Sequence, residues 1–186
     1  MSLRYGILGL LSYGDMTGYD ISKAFKESIG YFWNAQQSQI YRELAALEKE
    51  GLVEYDLVIQ NDKPNKKLYR LDDLGRDRLV EWLGDENMDD YFVIRNPLLL
   101  RLFFSSKVPV SRTISLLTNY KERCESAARQ LAADTSDLSA YETQVGNDEA
   151  MYWKMTIAYG LGNYQFGARW AQDCIDILQE KEEENG

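Results

Sequence analysis

The stretch QQSQIYR, residues 36–42, has the strongest chemical signal in the chain. Its polar side chains are those of Gln36, Gln37, Ser38, Gln39, Tyr41 and Arg42. Glutamine amides donate and accept at once, which suits bidentate hydrogen bonding to adenine, while tyrosine and arginine can bind phosphates and arginine can read guanine. The stretch therefore predicts contact between a helix and duplex DNA. The alternative is that the glutamines and the serine only cap the helix.

A second polar set follows in residues 60–70, where Lys63, Lys66, Lys67 and Arg70 are opposed only by Asp62, a local charge of +3. Lys63, Asn65, Lys66 and Lys67 would lie at the tip of a hairpin, within reach of a DNA backbone or minor groove. Lys23 and Lys26 are secondary candidates for phosphate contacts. The alternative is that the basic tip is simply solvated.

The net charge of −9 argues against a nucleic-acid partner at first sight. The charge is unevenly distributed, however: residues 1–84 carry 11 basic and 13 acidic residues, and residues 85–186 carry 10 and 17. Phosphate binding depends on charge within about a Debye length, roughly 8–10 Å. A locally basic edge in the first half is therefore compatible with DNA binding.

The composition and the motifs of the chain argue against other functional classes. The chain has no histidine, no phosphate-binding G-x-x-x-x-G-K-[ST] loop and no G-x-G-x-x-G motif, so we expect neither an enzyme nor a cofactor or metal site. Two distant cysteines, no long apolar run and no signal-like N-terminus predict a cytoplasmic protein that makes no membrane contact.

The pattern of the first half predicts a winged helix-turn-helix domain over residues 1–84. Apolar spacing indicates helices over about 3–11 and 17–30, and Ile40, Leu44 and Leu47 mark the buried side of a third. Ser38 is a possible N-cap of that third helix, although Gln37 could already lie inside its first turn. Two β-rich runs, 52–60 and 66–71, flank a polar five-residue loop and predict a hairpin.

A fourth helix follows, capped by Asp72 or Asp73 and with an apolar face formed by Leu79, Val80 and Leu83. The acidic, glycine-containing stretch 84–90 marks the domain boundary. Residues 85–186 are predicted to be all helical, with helices over about 97–104, 111–133 and 148–181. The fold class is therefore mainly α, with a winged helix-turn-helix followed by a helical dimerisation and effector domain.

The last predicted helix is too long for a small domain to cover. Its apolar stripe predicts a homodimer contact through Met155, Gly162, Phe166, Trp170, Cys174 and Ile177. Aromatic side chains crowd the same helix, and Tyr152, Trp153, Tyr159 and Trp170 could line a pocket for a small aromatic effector. The alternative for these rings is core and dimer packing.

Three segments resemble the PadR-like family of bacterial transcription regulators: YGILGLLSYGDMTGYDISKAF, QSQIYRELAALEKEGLV and KKLYRLDDLGRDRLVEWL. They contain, in order, the G-Y-[DE]-I helix, the Y-x-x-L-x-x-L-E-x-x-G-L recognition helix and the Y-x-L-[TD]-x-x-G end of the wing. YGLGNYQFGARWAQDCIDIL is similar to the last helix of the longer members. Arg42 is a departure, since many relatives have proline there.

This resemblance covers about residues 3–180. It implies a homodimer held by C-terminal helices, repression at a palindromic operator in double-stranded DNA, and release by a small effector. The competing hypothesis is a winged-helix protein-interaction module without DNA binding, which the net charge favours.

Overall fold

The structure is a computed structural model that describes residues 2–60, 65–86, 96–135 and 147–184. The chain divides into two compact units, Met1–Asp90 and Tyr91–Gly186. Each unit has its own hydrophobic cluster, and each is described by itself.

The first unit has the predicted winged-helix plan. Its helices are α1 (Ser2–Leu11), α2 (Gly18–Ala24), α3 (Gln37–Lys49) and α4 (Asp73–Leu83), and a π-helical turn, Phe25–Ile29, continues α2. Its strands are β1 (Met16–Thr17), β2 (Val53–Val58) and β3 (Lys66–Leu71), in the antiparallel order β1-β3-β2. The β2–β3 hairpin, called the wing below, was predicted. Strand β1 was not, because two residues carry no periodicity.

Apolar residues of all these elements meet in one core. Ile7 and Leu8 of α1, Ile21 of α2, and Leu44 and Leu47 of α3 are fully buried. Each buried side chain of this size stabilises the fold by about 1.5–3 kcal/mol relative to an exposed one. Buried residues recur every three or four positions along α3 and mark its inner face, so the opposite face of the helix remains exposed.

Polar and aromatic contacts hold the helices in register. Arg4 of α1 donates to Glu43 of α3 at 3.2 Å and to Glu50, the residue that caps the end of α3, at 2.7 Å. The rings of Tyr5 and Trp82 stack at 4.6 Å between centroids and so tie α1 to α4. α1 is thus tied to both α3 and α4.

Helix α4 follows the wing directly and begins at Asp72, whose side chain accepts the N–H of Leu74. Gly75 lets the helix approach the backbone, because a Cβ there would collide with the Leu52 carbonyl oxygen. Leu79 is buried as predicted, but Val80 and Leu83 are 63% and 66% exposed. The predicted apolar face of α4 is therefore wrong for these two residues, since this unit offers the helix only a narrow contact.

The second unit is helical throughout the part that the structure describes. It contains α5 (Pro97–Phe103), a 3₁₀ turn (Ser105–Lys107), α6 (Val110–Asp134) and α7 (Asn147–Glu184). α7 has 38 residues, about 57 Å at 1.5 Å per residue. Leu117 of α6 and Ala171 and Ile175 of α7 form the buried seam between the two long helices.

Gly167 lies inside α7, where its lack of a side chain has a role in packing. A Cβ at this position would lie 2.8 Å from the Tyr120 hydroxyl and 3.0 Å from the Cys124 sulfur of α6. Its absence lets α6 and α7 approach closely. In the described part of the chain, no helix is both long and apolar enough to cross a bilayer.

Candidate nucleic-acid interface

The polar side chains predicted to read DNA share one outward surface of α3. The exposed members are Gln36, Gln37, Ser38, Gln39, Tyr41 and Arg42. The intervening residue, Ile40, is 1% exposed and anchors the first turn in the core. The N-cap is Gln36, so Ser38 lies inside the first turn.

Gln39 also stabilises the start of the helix. Its side-chain oxygen accepts the backbone N–H of Gln36 at 2.9 Å, the reciprocal contact of a capping box. The capping alternative is therefore correct for Gln39. Because the contact uses only the carbonyl oxygen, its NH₂ group keeps the ability to donate to an acceptor such as a base edge.

Tyr41 combines packing with exposure. A Cβ on Gly18 would lie 2.6 Å from its ring and 3.2 Å from its hydroxyl, so the ring rests on the first turn of α2. The side chain is nevertheless 44% exposed. The contact fixes the start of α2 against α3 and leaves part of Tyr41 facing solvent.

Lys67 of the wing is held by neighbouring side chains. Its ammonium lies 2.8 Å from a Glu48 carboxylate oxygen and 3.7 Å from the centre of the Tyr55 ring. The hydrogen bond to Glu48 raises the pKa of Lys67 and so favours its charged form. Lys67 therefore bridges the wing to α3, a role that the sequence did not indicate.

The other predicted wing residues differ among themselves. Lys66 is exposed at the start of β3, and Asn65 is exposed and accepts the backbone N–H of Gln60 at 3.2 Å. Lys63 lies outside the described residues. Arg70, part of the local positive charge, is bound to Glu54 and Asp56 over 2.7 and 2.6 Å. The wing is therefore less basic than its count of cations suggests.

Helix α2 carries the secondary candidates and one missed residue. Lys23 and Lys26 are both exposed, and Lys23 lies 3.9 Å from Glu27, a weak surface pair. Tyr19, beside Gly18, is 64% exposed and was not predicted to belong to this surface. It is the neighbour in sequence of Gly18, on which the Tyr41 ring packs.

The structure separates the predicted dimer residues of α7 into two sets. Met155, Gly162, Phe166 and Ile177 lie on the exposed side of the helix. Trp170 and Cys174 are half-buried and pack on the seam with α6, where the Trp170 ring meets Tyr120 edge-on at 6.1 Å.

The aromatic residues predicted to form an effector pocket are not among those that line the cavity found in the described part of this unit. Tyr152 and Tyr159 are exposed, Trp153 is half-buried, and Trp170 packs on α6. A cavity of about 530 Å³ lies instead among α5, the 3₁₀ turn and the start of α6. Its lining includes Leu100, Arg101, Phe104, Val108, Arg112 and Leu116.

Comparison with protein families agrees with this arrangement. Residues 7–81 match the transcriptional regulator PadR-like family, and residues 94–179 match a model described as the C-terminal part of virulence activator alpha. The first unit is therefore a PadR-like family domain. That family consists of transcriptional regulators, which confirms the prediction that the chain is not an enzyme.

One relative of this chain is a regulator of Bacillus subtilis. Over 81 residues the chain is 49% identical to the negative transcriptional regulator PadR of Bacillus subtilis, a match that spans 44% of each protein. The sequence match thus spans less than half the length of that relative.

Solved structures match over nearly the whole chain. Bacillus subtilis PadR in complex with operator DNA has a TM-score of 0.80 at 29% identity, covering 96% of this chain and 99% of that one. The same protein in complex with p-coumaric acid has a TM-score of 0.70 at 26% identity, with the same coverage. These matches confirm the predicted fold, a winged helix followed by long helices.

Proposed function

We propose that the protein is a cytoplasmic, homodimeric transcriptional repressor that binds a palindromic operator in double-stranded DNA and is released by a small aromatic effector. The outward polar surface of α3 carries this proposal. α3 is the second helix of a helix-turn-helix pair, and such helices enter the major groove with their N-terminal residues against the base edges.

The division of labour on α3 follows from its geometry. Gln36, Gln37 and Gln39 lie at its N-terminal end, the part that a helix-turn-helix presents to base edges. Arg42, one turn further, can reach a phosphate or a guanine. Lys66 supplies charge from the wing. The operator complex of the similar Bacillus subtilis protein supports this assignment.

Dimerisation is supported by the exposed side of α7. Met151, Met155, Tyr159, Phe166 and Ile177 are between 46% and 71% exposed and recur on one side of the helix. Apolar stripes of this length are rarely left in water by soluble proteins. A second copy that covers the stripe would hold two α3 helices about one DNA turn, roughly 34 Å, apart and so require a two-fold operator.

Effector control is supported by the p-coumaric acid complex of the same similar protein. A small molecule can release DNA only if it binds the DNA-free arrangement of the dimer more tightly than the DNA-bound one. The helical unit, which contains the cavity described above, is where we place such a ligand.

Fluorescence anisotropy with duplexes from the protein's own promoter region tests the proposal. We expect binding that weakens steeply as the salt concentration rises. We also expect a scrambled duplex of equal length to displace a labelled promoter duplex only poorly. The rival function, a protein-interaction module, draws support from the net charge of −9 and from the pairing of Lys67 and Arg70. Failure to bind either the promoter or the scrambled duplex would favour that rival.

A further inference from the structure

The outer end of the wing carries three exposed apolar residues in succession. Leu57, Val58 and Ile59 are 57%, 39% and 77% exposed. Single apolar residues on a surface are ordinary, but a run of three that contributes nothing to the core points to a function. The run is also on β2, an edge strand of the sheet, where exposed apolar residues promote unwanted pairing and are usually replaced by charges.

The sheet register shows which way these side chains point. Leu57 pairs with Lys67, whose ammonium binds Glu48 of α3. Successive side chains of a strand lie on opposite faces, so Leu57 is on the face turned toward α3 and Val58 is on the other. Ile59 follows Leu57 by two residues, which extends the apolar surface about 7 Å further from the bridge to α3 at roughly 3.3 Å per residue.

The charges around this run indicate its partner. Residues 57–60 and 65–67, the described end of the wing, hold Lys66 and Lys67 and no carboxylate, in a chain of net charge −9. Two lines of phosphates border the minor groove of DNA, and apolar side chains are inserted into that groove by many proteins that bind it. A second copy of this acidic chain offers the lysines no comparable density of negative charge.

We infer that Leu57 and Ile59 lie in the minor groove beside the half-site read by α3 and favour A·T pairs there. The inference rests on the proposed DNA-binding function. With α3 in the major groove, the bridge from Glu48 to Lys67 holds the wing next to that groove. The end of the wing then crosses the adjoining phosphate strand, beyond which the next groove is the minor one.

The preference for A·T follows from the chemistry of the groove floor. All four base pairs present acceptors in the minor groove, and only G·C adds a donor, the guanine N2 amino group. An apolar side chain that covers this donor leaves it without a hydrogen-bond partner, which is unfavourable. Leu57 and Ile59 would therefore give the wing a sequence preference that lysines bound to phosphates do not provide.

Three versions of the promoter duplex test the preference in the full-length protein. The pairs that flank the half-sites are A·T in one, G·C in another and hypoxanthine·cytosine in the third. The last keeps the major-groove edge of G·C but lacks the N2 amino group. By anisotropy, the parent should bind the A·T and hypoxanthine·cytosine duplexes alike and the G·C duplex about fivefold more weakly or worse.

Variants of the wing assign the preference to particular side chains. Leu57→Thr and Ile59→Thr should each reduce the difference between A·T and G·C flanks, to about twofold or less in the double variant, because a hydroxyl can accept from the amino group. The slope of log affinity against log salt should not change, since no charge is removed. Val58→Thr is the matched control on the opposite face of β2 and should keep the full preference. All three residues are exposed, so thermal melts should match that of the parent.

Four results would overturn the inference. These are equal affinity of the parent for all three duplexes, a hypoxanthine·cytosine duplex that binds as weakly as the G·C one, an unchanged preference in the double variant, and an equal loss of preference in Val58→Thr. A shift in oligomeric state of the double variant with unchanged flank preference would assign the run to contact with a second copy.

The same measurements separate this inference from the function on which it rests. Specific promoter binding that is indifferent to the flanks refutes only the minor-groove contact. Failure to bind any of the three duplexes contradicts the repressor function and the minor-groove contact together.

Discussion

The ammonium of Lys67 lies 2.8 Å from a carboxylate oxygen of Glu48, which joins the wing to α3. The same ammonium lies over the Tyr55 ring at 3.7 Å. Glu48 is in the last turn of α3 and Tyr55 is in β2, so one side chain connects three elements. The relative position of recognition helix and wing is therefore fixed before any DNA is bound.

Lys66 and Lys67 should respond differently to removal of their charge. Lys66→Gln should weaken binding to all DNA sequences and lower the slope of log affinity against log salt by about one. Lys67→Gln should change that slope less, because Glu48 already neutralises the ammonium. It should instead cost about 0.5–1 kcal/mol of folding stability, the range of surface pairs.

Anisotropy across a salt series and urea unfolding measure the two effects in both lysine variants. Glu48→Gln is a useful companion, since it frees Lys67 and should increase the salt slope. A Lys67→Gln protein with unchanged stability and a slope as low as that of Lys66→Gln would show that Lys67 binds phosphate.

Substitutions at Gln37 and Gln39 should separate the reading of DNA from the capping of α3. Gln39→Ala should alter sequence preference and also destabilise the protein by about 0.5–1 kcal/mol, because the Gln36 N–H loses its acceptor. Gln37→Ala should change only sequence preference, since Gln37 lies in the first turn without that contact. Gln39→Glu keeps the acceptor, so its stability should match that of the parent.

Selection from a randomised duplex library reports preference, and thermal melting reports stability. If Gln37→Ala and Gln39→Ala melt alike, the capping contact contributes nothing measurable.

Sequence patterns predicted most of the fold because it follows from local rules. Ile40, Leu44 and Leu47 recur at helical spacing, so the buried side of α3 could be identified from their positions alone. Contacts between distant residues could not be identified this way. The Lys67–Glu48 pair spans 19 residues, and the exposure of Val80 depends on what surrounds α4 rather than on its own periodicity.

The prediction of an effector pocket also combined what the sequence shows with what only packing decides. Aromatic content directed attention to α7, whereas the contact of Trp170 with Tyr120 joins two helices and arises only through tertiary packing. No spacing rule connects them.

Gly18 should be intolerant of a side chain. Gly18→Ala places a Cβ 2.6 Å from the Tyr41 ring, and overpacking of this kind typically costs about 1–3 kcal/mol. Because Tyr41 lies on the surface that we propose binds DNA, affinity should fall together with stability. Urea unfolding and anisotropy on the same preparation measure both.

Gly9→Ala is the control for a glycine inside a helix. A Cβ at Gly9 meets no atom within 4 Å, so alanine should stabilise α1 by about 0.5–1 kcal/mol. The double variant Gly18→Ala/Tyr41→Leu has a smaller side chain at position 41 and should recover part of the lost stability. Equal effects of the two alanine variants would contradict a close contact between Gly18 and Tyr41.

Asp20 should contribute to the loss of stability in acid. The Thr17 hydroxyl donates to its carboxylate at 2.6 Å and holds the pKa of Asp20 below its usual value, with the Thr17 N–H and the charges of Lys66 and Lys23 acting in the same direction. A carboxylate with a lower pKa in the folded state stabilises the fold above its unfolded pKa, about 3.9. That stabilisation is lost as the pH falls through the folded value.

Urea unfolding between pH 6 and pH 3 should therefore show a smaller acid-induced loss of stability in Asp20→Asn than in the parent. Asp15→Asn removes an exposed carboxylate five residues earlier and serves as the matched control. Parallel pH profiles for all three proteins would show that the capping box at α2 does not depend on the charge of Asp20.

Phe166 should control the association of two chains. It is 58% exposed near the middle of the apolar stripe of α7, so Phe166→Glu places a charge where we expect a second copy to pack. Light scattering after size exclusion should then give the mass of one chain. Gln165→Glu adds the same charge on a neighbouring side of α7, outside the stripe, and should remain dimeric.

Circular dichroism should show equal helix content in both variants, because Phe166 takes no part in the seam with α6. Monomeric Phe166→Glu should also lose most of its promoter affinity, since one winged helix lacks the second half-site. A monomeric parent protein would refute the dimer, and a Phe166→Glu protein that stays dimeric would place the contact between copies elsewhere.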